Sequence, residues 1–156
     1  MSRQHRARRL ALQGLCCLDV QGERAMGLVA EFIADCDEVP GTAEAARDLL
    51  LGAYRDRKDC DAILTRHSKR WGLERLAMVD RNILRLSVYE MLTDTAPCKV
   101  IISEALKLAQ EFSTSESPRF VNGVLDAVRR EIKDGLKSDA PDPAARPDAP
   151  AEPDVG

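Results

Sequence analysis

Between Ala96 and Val128 the chain reads APCKVIISEALKLAQEFSTSESPRFVNGVLDAV, and its apolar residues return every three or four positions. Ile101, Ala105, Leu108 and Phe112 share one face of a first helix, and Val121, Val124, Leu125, Val128 and Ile132 share one face of a second. Stripes of that width are satisfied by packing against other elements, so this stretch commits its neighbours to cover it. Pro97 marks the entry to the first helix. Ser117-Pro118 opens the second, with Ser as the expected N-cap and Pro at the first helical position, where its missing N–H costs nothing. The join, Ser113 to Glu116, is almost all Ser and Thr. Phe112, Arg119, Phe120 and Asn122 gather at that turn. Two rings beside a cation and an amide suit an unpaired RNA strand. The same rings, at these phases, also suit a core, and both readings stand for them on this pattern alone.

The helical period holds along the rest of the chain. Arg3 to Gln21 places Ala7, Leu10, Ala11, Gly14, Leu15 and Leu18 on one stripe, with Arg6, Arg9 and Gln13 on another face, and Gly22 ends it. A short helix is expected from about Ala25 to Ala34, with Met26, Val29, Ala30 and Ile33 inward. A loop over Asp35 to Thr42 follows, with Thr42 as N-cap. One long helix is expected from Ala43 to Arg66, its middle a charge run, RDRKDCD, read as a solvated face. Trp71-Gly72 closes that segment, and a short helix covers roughly Leu73 to Met78. Asp80 is the expected N-cap of a helix from Arg81 to Leu92. No alternating strand pattern of useful length appears. The expected fold is all-α, about seven helices, in one domain over residues 1–137. The segment 138–156, rich in Pro, Ala and Asp, cannot bury enough apolar surface to offset its chain entropy and is read as a disordered acidic tail.

That tail distorts the charge balance. The chain carries a formal −3, but residues 139–156 hold five acidic residues and one Arg, which leaves the remainder near +1 with a basic pole at Arg3, Arg6, Arg8 and Arg9. Five cysteines without CxxC spacing argue for a reducing compartment and against zinc or a disulfide framework. The N-terminal LALQGLCCL is short, is broken by Gln13 and Gly14, and has no cleavage site behind it, so an export signal is not expected. No run approaches the length of a membrane span. A phosphate-binding loop, a dinucleotide fingerprint, a nucleophile elbow and an HExxH pair are all missing. His67 has no partner at motif spacing. The residues therefore point to a non-catalytic binding module with no cofactor.

Several strings carry a more specific likeness. They are Asp80-Arg81-x-Ile83-Leu84-Arg85-Leu86-x-x-Tyr89-Glu90, then Ser103-Glu104-Ala105 through Phe112, then Phe120-Val121-Asn122-Gly123-Val124-Leu125-Asp126. Together with Arg6-Ala7-Arg8-x-x-Ala11-Leu12-Gln13-x-Leu15, they resemble the family of the bacterial transcription antitermination factor NusB, from about residue 3 to residue 132. The resemblance implies two packed helical subdomains and an adaptor in the cytoplasm. It implies binding to the boxA element of nascent ribosomal RNA together with the ribosomal protein NusE, and joining other Nus factors on RNA polymerase. Carried over by position, it implies RNA contacts at Arg6, Arg8, Arg9, Glu74, Lys99, Phe112, Glu116, Arg119 and Phe120, and partner contacts at Asp80 and, by adjacency, Arg81. It also turns Phe120 toward RNA, while Phe112 stays open between core and surface. Cys16 and Cys98 stand where many members carry larger residues, which implies fewer stacking contacts and more reliance on the partner protein. Two other readings remain: a helical module that binds only protein, and a relative of the NusB-like domain attached to rRNA cytosine methyltransferases.

Overall fold

The computed structural model describes residues 2–37, 39–68 and 72–139. Among the described residues seven α-helices follow one another: α1 (Arg3–Gln21), α2 (Met26–Asp35), α3 (Thr42–Arg55), α4 (Arg57–His67), α5 (Met78–Thr93), α6 (Cys98–Phe112) and α7 (Ser117–Asp139). Short 3-10 turns cover Glu23–Ala25 and Leu73–Arg75, and no strand occurs among the described residues. The fold is all-α. Helices α1, α2 and α3 pack on one another, α4 to α7 form a second group, and α1 lies against α3 on one side and α5 on the other.

The sequence stripes become the core. Ala7, Ala11, Leu12, Leu15 and Leu18 of α1 meet Leu50 and Ala53 of α3 and Ile83, Leu84 and Leu86 of α5 in a single buried cluster. Ile101, Ala105 and Leu108 of α6 and Val121, Leu125 and Val128 of α7 complete it. Helix α1 stops where expected. Gly22 adopts φ +83, a left-handed value that costs glycine little, and its N–H reaches back to the Leu18 carbonyl at 2.7 Å. At Gly52 the constraint is space. A Cβ there would lie 2.0 Å from the Tyr89 hydroxyl oxygen and 2.2 Å from its ring, so a side chain at 52 would push the Tyr89 ring out of its place between α3 and α5.

Several expectations are corrected. The long helix breaks at Asp56, which leaves helical geometry at φ −96, ψ 14. From Arg55 to Asp59 the chain offers no apolar residue to hold a straight helix against the core. The break lets α3 stay on α1 while α4 turns to α5 and α7. Helix α5 starts at Met78, so Asp80 lies inside its first turn rather than capping it. Thr42 is the first residue of α3 and not its cap; the Asp37 carboxylate accepts the Ala43 N–H at 2.9 Å instead. Helix α7 runs to Asp139, past the boundary expected at 137, and begins at Ser117, the residue expected as its cap. Trp71 and the tail from residue 140 onward lie outside the described residues.

Candidate nucleic-acid interface

Helix α1 has two polar faces with different fates. Arg6, Arg9 and Gln13 fall one turn apart on the outer side, where Arg6 and Arg9 are half-buried and Gln13 is exposed. Arg8 falls instead in phase with Leu12 and Leu15, and its side chain is buried. Its guanidinium forks onto Glu90 of α5, Nε to Oε2 and Nη2 to Oε1, each at 2.8 Å. Burial disfavours that charge, but the bonds and charges of Glu90 and Glu104 outweigh it and raise the Arg8 pKa above its ordinary value. Arg8 therefore does not present its cation to phosphates, which departs from the sequence expectation. Beside it His5 lies between two carboxylates of α6, Glu104 at 2.8 Å and Glu111 at 2.9 Å. Burial works against ionised Glu104, yet hydrogen bonds from Lys107 and His5 hold its pKa below the ordinary carboxylate value.

Arg9 turns the other way. Its guanidinium lies 5.6 Å from the centroid of the Phe112 ring, with Nε 3.2 Å from Glu111. This brings the outer face of α1 to the turn between α6 and α7. The turn itself is latched. Asp80 accepts hydrogen bonds from Ser113 Oγ at 2.6 Å and Ser117 Oγ at 3.0 Å, and the Ser117 hydroxyl also meets Ser113 and Thr114. Asp80 is 9% exposed and both its oxygens are engaged. It is thus a support for the turn, not the open partner-facing acid that the sequence suggested, because the turn's two serines fold over it. Arg81 bonds Asp19 of α1 at 3.0 and 2.8 Å and the Leu76 carbonyl at 3.2 Å, so it ties α1 to α5.

Around the latched turn Glu116 and Arg119 are exposed, while Phe112 and Phe120 are half-buried with one side against the core. Each ring packs inward and leaves an edge outward. Glu74 is exposed on the 3-10 turn ahead of α5, and its carbonyl lies 3.5 Å from the Arg81 guanidinium. Lys99 is also exposed, but it opens α6 while Phe112 ends it, a separation of about 20 Å along the axis. The structure brings Arg9 to Phe112 beside the turn that Glu116, Arg119 and Phe120 flank, keeps Arg6 one helical turn from Arg9 on α1, and leaves Lys99 at the far end of α6. Sequence reasoning assigned no site role to His5 or Phe32 and marked Thr42 only as a helix cap. Phe32 had a visible signal, since it falls outside the inward stripe of α2 and is 48% exposed.

Among the described residues no helix is long and apolar enough to cross a membrane, and all five cysteines are free thiols. Burial pushes the Cys60 thiol up to about 12 and the Cys16 thiol up to about 11, so both are held protonated.

Comparisons with known proteins agree with this architecture. The sequence model of the NusB family matches residues 5–130. The chain is 43% identical over 134 residues to the transcription antitermination protein NusB of Solibacter usitatus, covering 85% of this chain and 92% of that protein. It is 39% identical over 148 residues to the corresponding protein of Symbiobacterium thermophilum, covering 89% and 96%. Among solved structures, NusB of T. maritima superposes with a TM-score of 0.75 at 30% identity, covering 84% of this chain and 92% of that one. A crystal structure of the antitermination factors NusB and NusE in complex with dsRNA superposes at 0.74 with 28% identity, covering 84% and 99%. With a fold that superposes on these relatives and a family match over most of its length, the chain belongs to the NusB family.

Proposed function

We propose that this chain is a non-catalytic transcription antitermination factor that binds the boxA element of nascent ribosomal RNA jointly with the ribosomal protein NusE. In this reading it works in the cytoplasm and joins other Nus factors on RNA polymerase. The observation that carries it is the Arg9–Phe112 contact, which joins the cationic face of α1 to the latched aromatic turn. A solved NusB relative in complex with NusE and dsRNA supports the choice of ligands. Arg6, Arg9 and Arg119 neutralise phosphates, which makes the affinity fall as salt rises. The outward edges of Phe112 and Phe120 meet unstacked bases, and Glu116 accepts hydrogen bonds from base amino groups. Glu74, exposed beside Arg81, extends that acceptor set, and Lys99 contributes only to a strand or partner long enough to reach the far end of α6. Asp80 holds the turn in shape from below. Binding RNA and NusE as one composite site raises affinity beyond that of either contact.

The test is fluorescence anisotropy of a boxA-like single strand, with and without NusE. Arg119→Ala and Phe120→Ala are expected to weaken binding about tenfold each, within the range of one stacked base or a few phosphate contacts. Unchanged binding in both variants overturns the assignment of the turn. An RNA-independent complex with NusE favours a module that binds protein only.

A further inference from the structure

A cleft of about 190 Å³ opens between the outer face of α1, helix α2 and the start of α3, and Arg6, Arg9, Gln13, Phe32 and Thr42 line it. We propose that this cleft takes a single unpaired nucleotide of the bound RNA, extending the surface at the turn across α1; the inference rests on the RNA reading above.

Three independent observations converge there. First, the Phe32 ring is nearly half exposed although the inward stripe of α2 is complete without it. An aromatic face left in water beside cations is a stacking platform for a base, and base stacking tolerates any sequence. Second, Thr42 is only 2% exposed, and its hydroxyl oxygen is buried with no hydrogen-bond partner. A hydroxyl at the start of a helix ordinarily serves the first backbone amides, but Asp37 has taken that place at the Ala43 N–H. The Thr42 hydroxyl is left with unused donor and acceptor capacity in the cleft wall, and buried polar groups rarely go unmatched. Third, the cleft is continuous with the turn. Arg9 lines it and also lies over Phe112, so one cation belongs to both places.

The chemistry assigns the parts. The base lies on Phe32, with its polar edge toward the Gln13 amide and the Thr42 hydroxyl, each able to donate and accept. Arg6, which forms no ion pair with a described residue, takes the adjoining phosphate. The cavity is smaller than the roughly 300–1,000 Å³ of sites for drug-sized ligands, so it suits one planar group and not a whole cofactor.

The experiment compares two labelled single strands in the presence of NusE. One is a boxA-like strand long enough for the turn alone; the other carries a few more nucleotides at each end. The wild-type chain is expected to bind the longer strand about tenfold tighter, in line with one additional stacked base. Phe32→Ala is expected to abolish that gain and leave the short strand untouched, while Phe32→Trp keeps it. Thr42→Val, which removes the unmatched hydroxyl at constant shape, is expected to lower the gain while raising Tm; a hydroxyl with a purely structural task would lower Tm. The cleft assignment is overturned alone if the short strand binds and no length-dependent gain appears, or if Phe32→Ala keeps the gain. Failure of the wild-type chain to bind either strand overturns both this inference and the RNA reading. Loss of NusE affinity in Phe32→Ala with unchanged RNA binding makes the cleft a protein contact and overturns the nucleotide.

Discussion

Arg8 shows how one residue's phase decides between two chemistries. Its charge and its neighbours Arg6 and Arg9 placed it in the basic pole, yet it lies four residues before Leu12 and seven before Leu15, both buried. That spacing was legible and pointed inward. What could not be read was the partner, since Glu90 and Glu104 come from helices some ninety residues away. The consequence is a structural cation. Removing it leaves Glu90 buried and unpaired, so Arg8→Ala is expected to destabilise the chain by about 3–5 kcal/mol. A denaturant titration checks this, and at a temperature where the variant is folded its RNA affinity is expected to stay within about twofold of wild type, the range of a residue that lends no phosphate contact. Arg6→Ala is expected to behave oppositely, with a small change in stability and a shallower dependence of RNA binding on salt.

Among the elements, the helix period was readable wherever an apolar stripe ran unbroken, as in α1, α6 and α7. It misled at α3 and α4, because a charge run keeps helical propensity on both sides of a bend and carries no sign of the bend itself. The turn between α6 and α7 was legible as a turn but not as a latch. Serine hydroxyls at 113 and 117 could serve their own backbone, water or another helix, and only the tertiary fold brings Asp80 beneath them. The latch makes a distinct expectation. In Asp80→Ala the Ser113 and Ser117 hydroxyls lose their shared acceptor and the turn loosens, so RNA affinity is expected to fall about tenfold, although Asp80 lies beneath the surface. Each hydrogen bond to a charged group contributes about 1.5–3 kcal/mol, enough for that change if only part of it is spent on ordering the turn. Anisotropy and hydrogen exchange over residues 112–120 check it together. Fast exchange with unchanged affinity means that the turn does not touch RNA.

For the whole molecule, polar clusters join the two groups of helices. Asp19 at the end of α1 accepts bonds from Arg81, Asn82 and Arg85 of α5, and Arg85 continues to Asp61 of α4 at 2.6 and 2.8 Å. Partial burial raises the Asp19 pKa, but the bonds from Arg81 and Asn82 and the nearby guanidinium charges outweigh it and hold it below the ordinary 3.8. Glu104 is held below its ordinary 4.5 in the same sense. A carboxyl with a lower pKa folded than unfolded binds protons more readily in the unfolded chain. Its stabilisation is therefore complete above the ordinary value and is lost as pH falls through the folded one. The urea midpoint is expected to fall as the pH drops below about 4.5, and Asp19→Asn is expected to start lower at neutral pH and fall less steeply. A variant whose acid profile is unchanged places the acid sensitivity elsewhere. None of the links made by Asp19 and Asp61 was legible in the sequence, since each joins residues more than twenty positions apart.

Helix α1 supplies buried side chains to both groups of helices and carries Arg6 and Arg9 on the side left over. Neither group keeps a closed core without it. Unfolding should then proceed as one cooperative event and not as two, so that probes in α2 and α7 report the same midpoint. A ligand gripping the outer side of α1 stabilises the entire molecule by mass action, including helices it never approaches. In that sense the first helix makes a local recognition event a global thermodynamic one.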